Sequence, residues 1–273
     1  MNQIEHDATG KSKGEMIVFA SAKGGVGKTV ISVNTSVAIA QKGFTTCILD
    51  GDFQFGDVNL AMDIQPKLTI SDLVQDIKSL NGNILSNYLQ NHESGVKILS
   101  APLKPEYADL ITPLVIETVC NTIIKQNRYL IVDLGPGLPE HNINFLEKAD
   151  KIFLVTDLEM ASLKNTKLML KTLGALELKE KTKVVVNRGD MESVIKFRDV
   201  RGILGIDDLF FISDNFKVVS KSLNIGTPFV IKKPNEKISY EINNFASQIH
   251  GGKKSRKRRK RKNNKGFFSF FNK

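Results

Sequence analysis

The residues best equipped for chemistry stand together in Ala22-Lys23-Gly24-Gly25-Val26-Gly27-Lys28-Thr29. Gly24, Gly25 and Gly27 open backbone conformations closed to other residues, so successive N–H groups can face one anion. Lys28 is placed to reach the terminal phosphates of a nucleoside triphosphate, and the Thr29 hydroxyl to ligate its Mg²⁺. Val26 and Val30 belong to the same cradle, Val30 in the first turn of the helix beginning near Lys28, whose free N–H groups and dipole complete it. Such a loop works only between a strand and a helix. Residues 16–20 are an unbroken apolar run that reads as a buried strand, and residues 28–42 carry Val30, Val33, Val37, Ala38 and Ala40 at helical spacing.

Carboxylates recur at the ends of other apolar runs. Residues 45–50 read as a second strand ending in Asp50, followed by Gly51-Asp52-Phe53-Gln54-Phe55-Gly56-Asp57. On its own this acidic loop reads first as a cap on the sheet; its place one βα unit after the phosphate loop turns the reading toward a catalytic segment. Residues 129–133 form another buried strand that delivers Asp133 to its carboxyl end, the arrangement in which a carboxylate holds Mg²⁺ through water. Gly135-Pro136-Gly137 follows as a turn. Residues 183–188 end in Asn187-Arg188, where asparagine serves as a turn former or as a ligand contact.

The loop departs from the strict phosphate-binding pattern in two places, with Ala22 at the first glycine and an extra lysine, Lys23, inside it. In both respects it resembles the deviant phosphate loop of the MinD/ParA ATPases. The resemblance covers roughly residues 15–249. It implies that Lys23 reaches across a nucleotide-sandwich homodimer to the partner's ATP, a catalytic role alongside Lys28. It also implies that Asp52 orients the attacking water, that Asp50 supports the Mg²⁺ shell held by Thr29 and Asp133, and that Asn187, with Arg188, contacts the adenine base. Gly135 stands where the family usually has proline in this switch. Three segments resemble the CpaE/TadZ-like pilus-assembly branch: Leu49–Val58, Thr69–Leu73 and Leu99–Pro102. The activity implied is a slow, partner-stimulated, Mg²⁺-dependent ATPase, with an activator or machinery protein as a further partner.

The remaining elements must hold these loops at one edge. Apolar strands alternate with helical segments (69–80, 83–90, 113–126, 159–173, 235–249) and further strands at 96–100, 151–156 and 210–214. That predicts an α/β fold with a doubly wound, mainly parallel sheet and helices on both faces, its ligands outside the carboxyl ends of the strands. The expected domains are a lead-in at 1–14, a MinD/ParA-like ATPase domain at 15–250 and a basic tail at 251–273. Cys47 and Cys120 fit reduced core residues, and the four histidines show no metal-ligand spacing. The polar start and the lack of a long apolar run predict a cytoplasmic chain.

The net charge of +10 is local. Eleven Lys and Arg and no acid follow Gly251, leaving 28 basic and 29 acidic groups in residues 1–250. Residues 253–262 hold nine basic side chains, and Phe267, Phe268, Phe270 and Phe271 close the chain. On a helical wheel those rings share an arc of about 160°. Each basic residue near an anionic membrane contributes on the order of 1 kcal/mol, and each buried Phe about 1.5–3 kcal/mol before ordering. The tail therefore reads first as a peripheral anchor on the inner face of the membrane. A nucleic-acid arm, as in a ParA-type partitioning ATPase, is the second choice, and a solvated charge run the third. Pilus assembly, septum placement and flagellar-number control all remain open as the process served.

Overall fold

In the computed structural model, which describes residues 14–251, β1 (Glu15–Ala20) runs through the middle of an eight-stranded sheet. It leads through the glycine loop into α1 (Lys28–Ala40), and α1 is followed by β2 (Thr46–Gly51). The other strands are β3 (Gln90–Asn91), β4 (Val96–Leu99), β5 (Tyr129–Leu134), β6 (Lys151–Thr156), β7 (Thr182–Val186) and β8 (Leu209–Phe211). Their order is β3-β4-β2-β5-β1-β6-β7-β8, and every pair is parallel except β3 with β4. The doubly wound α/β expectation is met.

The period-two alternation of the buried strands explains the layering. Met16, Val18 and Ala20 enter one apolar cluster with Val119 and Ile123 of the helix Pro113–Gln126 and Leu163 and Leu173 of the helix Met160–Ala175. Ile17 and Phe19 enter the other, with Val33 and Val37 of α1 and Ile242 and Phe245 of the closing helix Lys237–Ile249. Register then sets the chemistry. β5 lies between β2 and β1, and its Asp133 pairs with Asp50 on one side and Phe19 on the other. Both carboxylates thus arrive where β1 gives way to the glycine loop.

Several boundaries move. Segment 69–80 splits into a short α-helix, Ile70–Leu73, capped reciprocally by Thr69 and Asp72, and a 3₁₀ stretch, Val74–Ser79. The helix expected over 83–90 stops at Ser86, because Gln90 and Asn91 pair antiparallel with Ile98 and Lys97 to form β3. The strand of 183–188 ends at Val186, leaving Asn187 and Arg188 in the turn, with Arg188 at φ 49°. That of 210–214 shortens to β8. Helices Glu140–Lys148, Phe197–Leu204 and Phe216–Ile225 were not expected; each is brief. The lead-in up to residue 13 and the tail from residue 252, with Phe267, Phe268, Phe270 and Phe271, lie outside the described residues.

Candidate functional site

The loop's geometry follows from its glycines. Gly25 and Gly27 have φ of 78° and 84°, the left-handed region, and Gly27 caps α1 in that conformation. At Gly27 there is a second reason: an added Cβ would lie 2.3 Å from Asn187 Nδ2. The buried Asn187 amide donates to the Val26 carbonyl at 2.9 Å, so the turn after β7 is tied across the sheet to the loop.

Asp133 is the centre of the arrangement. Its Oδ1 lies 3.0 Å from Lys28 Nζ and accepts the Ser32 hydroxyl at 2.8 Å; its Oδ2 accepts the Thr29 hydroxyl at 2.7 Å. The side chains of Lys28 and Asp133 are 9% and 1% exposed. Lysine, threonine and aspartate are therefore brought together as their types suggested. Ser32 was missed, although it sits one helical turn beyond Thr29 and its spacing could have shown it.

Asp50 is fully buried beside Asp133 and accepts backbone N–H groups of Asp52 (3.2 Å) and Val58 (3.1 Å). Burial, and then the neighbouring Asp133, push its carboxyl up to about 8. Asp57 is raised by burial and by Asp52 and Asp133. Asp52 sits at the cleft, its Oδ1 accepting Phe55 N–H at 3.1 Å. A Cβ on Gly135 would come within 3.2 Å of the Asp52 carboxylate, tight enough that the carboxylate would have to shift. The Gly135–Gly137 turn is held from two sides: Asn142 Nδ2 donates to the carbonyls of Gly135 (3.0 Å) and Gly137 (3.1 Å), and Gly137 N–H donates to Ser21 O at 2.8 Å. Asn142 was missed with its helix.

Lys23 points away from this cluster and pairs with Glu159 at 2.7 Å, both side chains half-exposed. The hydrogen bond to Glu159 raises the Lys23 ammonium and lowers the carboxylate in return. So exposed a pair is held weakly.

A cleft of about 420 Å³ runs from the loop over Asn187 and Arg188 to Ser213–Phe216 and the helix after them. Its end at the glycine loop carries residues 24–30, Asp52 and Asp57; its far end is walled by Phe216, Val219 and Leu223. Asp50 and Asp133 lie beneath it. The cleft stands at the carboxyl ends of the parallel strands, as this topology requires.

Comparison with known proteins shows the family and the fold. The family profile described as an AAA domain matches residues 14–186. The chain belongs to that family, among its MinD/ParA-type P-loop ATPases. It is 27% identical over 252 residues to the septum site-determining protein MinD of Bacillus subtilis, covering 87% of this chain and 90% of that one. Two solved structures share its fold. A ParA family ATPase from Chlorobium tepidum has a TM-score of 0.80 at 22% identity, over 85% of this chain and 98% of that one. MinD of Pyrococcus horikoshii, complexed with Mg-ADP, has a TM-score of 0.75 at 21% identity, over 87% and 96%. Among the described residues no helix is long and apolar enough to cross a membrane.

Proposed function

We propose that the chain is an ATP-switched homodimer that binds an anionic membrane surface and positions a cell-surface or division machinery. The observation that carries the reading is the Asp133 carboxylate meeting Lys28, Thr29 and Ser32 under a left-handed glycine loop. The residues fit Mg²⁺. The donors are all oxygen, as a hard cation prefers, and two buried carboxylates stand in adjacent register, one of them driven toward its neutral form until positive charge is added. Mg²⁺ bound there supplies neutralisation of charge on the phosphates.

The chain's own groups do the rest. Backbone N–H groups of Gly24 to Val30 cradle the phosphates, and Lys28 exchanges Asp133 for them. Thr29 and Asp133 hold the metal end, with Asp50 behind. Asp52 orients water toward the terminal phosphate, and the Gly135–Gly137 turn, braced by Asn142, reports its loss. Asn187 fixes the loop against the base end, where Arg188 and Ser213–Phe216 receive adenine. Lys23 leaves Glu159 to reach the partner's phosphates, a weak exposed contact given up for a stronger one. The ATPase unit spans residues 15–250. The tail of residues 251–273 is the anchor, its Phe267, Phe268, Phe270 and Phe271 entering the lipid, and two tails in one dimer strengthen a contact marginal for one. The protein acts on the cytoplasmic side, as a peripheral protein, in septum placement or CpaE/TadZ-like pilus assembly, with a partner protein stimulating hydrolysis.

Sedimentation of the full chain with phosphatidylglycerol vesicles, with and without ATP, tests this. Vesicle binding should rise with ATP and be lost when the four terminal phenylalanines become serine. Binding to duplex DNA in place of vesicles, unaffected by those substitutions, would overturn it in favour of a DNA-partitioning role.

A further inference from the structure

Beside the nucleotide cleft lies a second, of about 600 Å³, and its charge is out of keeping with the body around it. Residues 1–250 hold 28 basic and 29 acidic groups, yet between Phe216 and Lys237 there are five lysines and one acid. Four of them, Lys217, Lys221, Lys232 and Lys233, are exposed and line this cleft, with Glu236 its single carboxylate. None of the four makes an ion pair among the described residues. Lys237, the fifth, is committed to Asp190 at 2.8 Å.

The walls are well anchored. One is the helix Phe216–Ile225, capped by Asn215, whose Oδ1 accepts Val218 N–H at 3.2 Å. The other is the strap around the short helix Phe229–Lys232. Its Val230 N–H donates to Asn34 of α1 at 3.1 Å, and the Ser222 hydroxyl closes onto Thr227 O at 2.6 Å. Between the lysines stand two accessible apolar side chains, half-buried Val218 and half-exposed Ile225, among the polar side chains of Asn215, Ser222 and Thr227.

We infer that this cleft is a docking site for an acidic protein segment that carries apolar side chains among its carboxylates. Charge complementarity selects the sign of the occupant. The concave shape and the accessible apolar side chains select its kind: a phosphate backbone would satisfy the lysines but leave Val218 and Ile225 uncovered, whereas a peptide of mixed acidic and apolar character covers both. The chain's own tail is excluded as occupant by its positive charge. The docked segment would lie one helix away from bound nucleotide, since Val219 and Leu223 on the opposite side of Phe216–Ile225 wall the first cleft. That last relation rests on the nucleotide reading; the docking does not.

The test uses the full chain without nucleotide at about 150 mM salt, where the Debye length is about 8 Å. The probe is a fluorescein-labelled peptide of alternating aspartate and leucine. Its affinity is followed by anisotropy, and its contacts are fixed by carbodiimide coupling of its carboxylates to lysines, then mapped by mass spectrometry. Coupling should concentrate on Lys217, Lys221, Lys232 and Lys233. The exposed charge reversal Lys221→Glu with Lys232→Glu should weaken binding about ten-fold or more. Coupling confined to residues 253–273, equal affinity in the variant, or duplex DNA binding the same lysines more tightly than the peptide would each overturn the inference.

Discussion

Lys28→Ala is the obvious way to disable the phosphate loop, and the structure says it removes more than a phosphate contact. In the free protein Lys28 is the counter-charge of Asp133, 3.0 Å away with both side chains buried. Removing one partner of a buried pair costs about 3–5 kcal/mol, because the other charge is left uncompensated. Asp133 keeps the hydroxyls of Thr29 and Ser32, at 2.7 and 2.8 Å, which places the cost at the lower end, about 3 kcal/mol. In urea, with a slope near 3 kcal/mol/M, the midpoint should fall by about 1 M. Lys28→Met with Asp133→Asn keeps volume and removes both charges, so it should recover most of that loss while ATP binding stays absent. Equilibrium unfolding of the single and double variants without nucleotide decides it. A single variant within about 0.5 kcal/mol of the parent, or a double variant no more stable than the single, would refute the claim that Lys28 and Asp133 hold each other in the free state.

Three further outcomes follow from the same contacts. Burial raises the Asp50 carboxyl to about 8 in the folded chain, so the stability it contributes is full below about pH 4 and is lost as pH rises through 8; unfolding without Mg²⁺ should show stability declining from pH 5 to 8.5, and Asp50→Asn should flatten that slope. Asn142→Ala frees the carbonyls of Gly135 and Gly137; ATP affinity should stay within about three-fold while single-turnover hydrolysis falls by about ten-fold or more. Lys23→Ala should leave ATP affinity largely intact and prevent ATP-dependent dimerisation in analytical ultracentrifugation, whereas Glu159→Gln, which only releases Lys23, should leave the dimer in place.

The site was legible where chemistry and spacing coincide in sequence. Residues 22–29, Asp50 and Asp133 each sit at the end of an apolar strand, and strand register alone brings them together. What escaped notice was held by tertiary contact. Ser32 and Asn142 are ordinary polar residues until Asp133 and the Gly135–Gly137 turn are placed beside them. Glu159 gains meaning only as the resting partner of Lys23. Asn187 was singled out, yet its amide braces the Val26 carbonyl, a role no local pattern encodes. In the fold, segment 83–90 lost its second half to strand pairing with β4, a long-range term that outweighs helical periodicity in so short a run. Helices such as Glu140–Lys148 and Phe197–Leu204, 9 and 8 residues long, were too brief for their periodicity to stand out.

The central claim is that a triphosphate is gripped between Lys23 and Val30. Isothermal titration calorimetry of the purified full chain with ATP in magnesium buffer tests it most directly. One ATP should bind per chain, and binding should vanish in the stable Lys28→Met, Asp133→Asn variant. The absence of any ATP uptake by the parent chain, or unchanged uptake by that variant, would contradict the account.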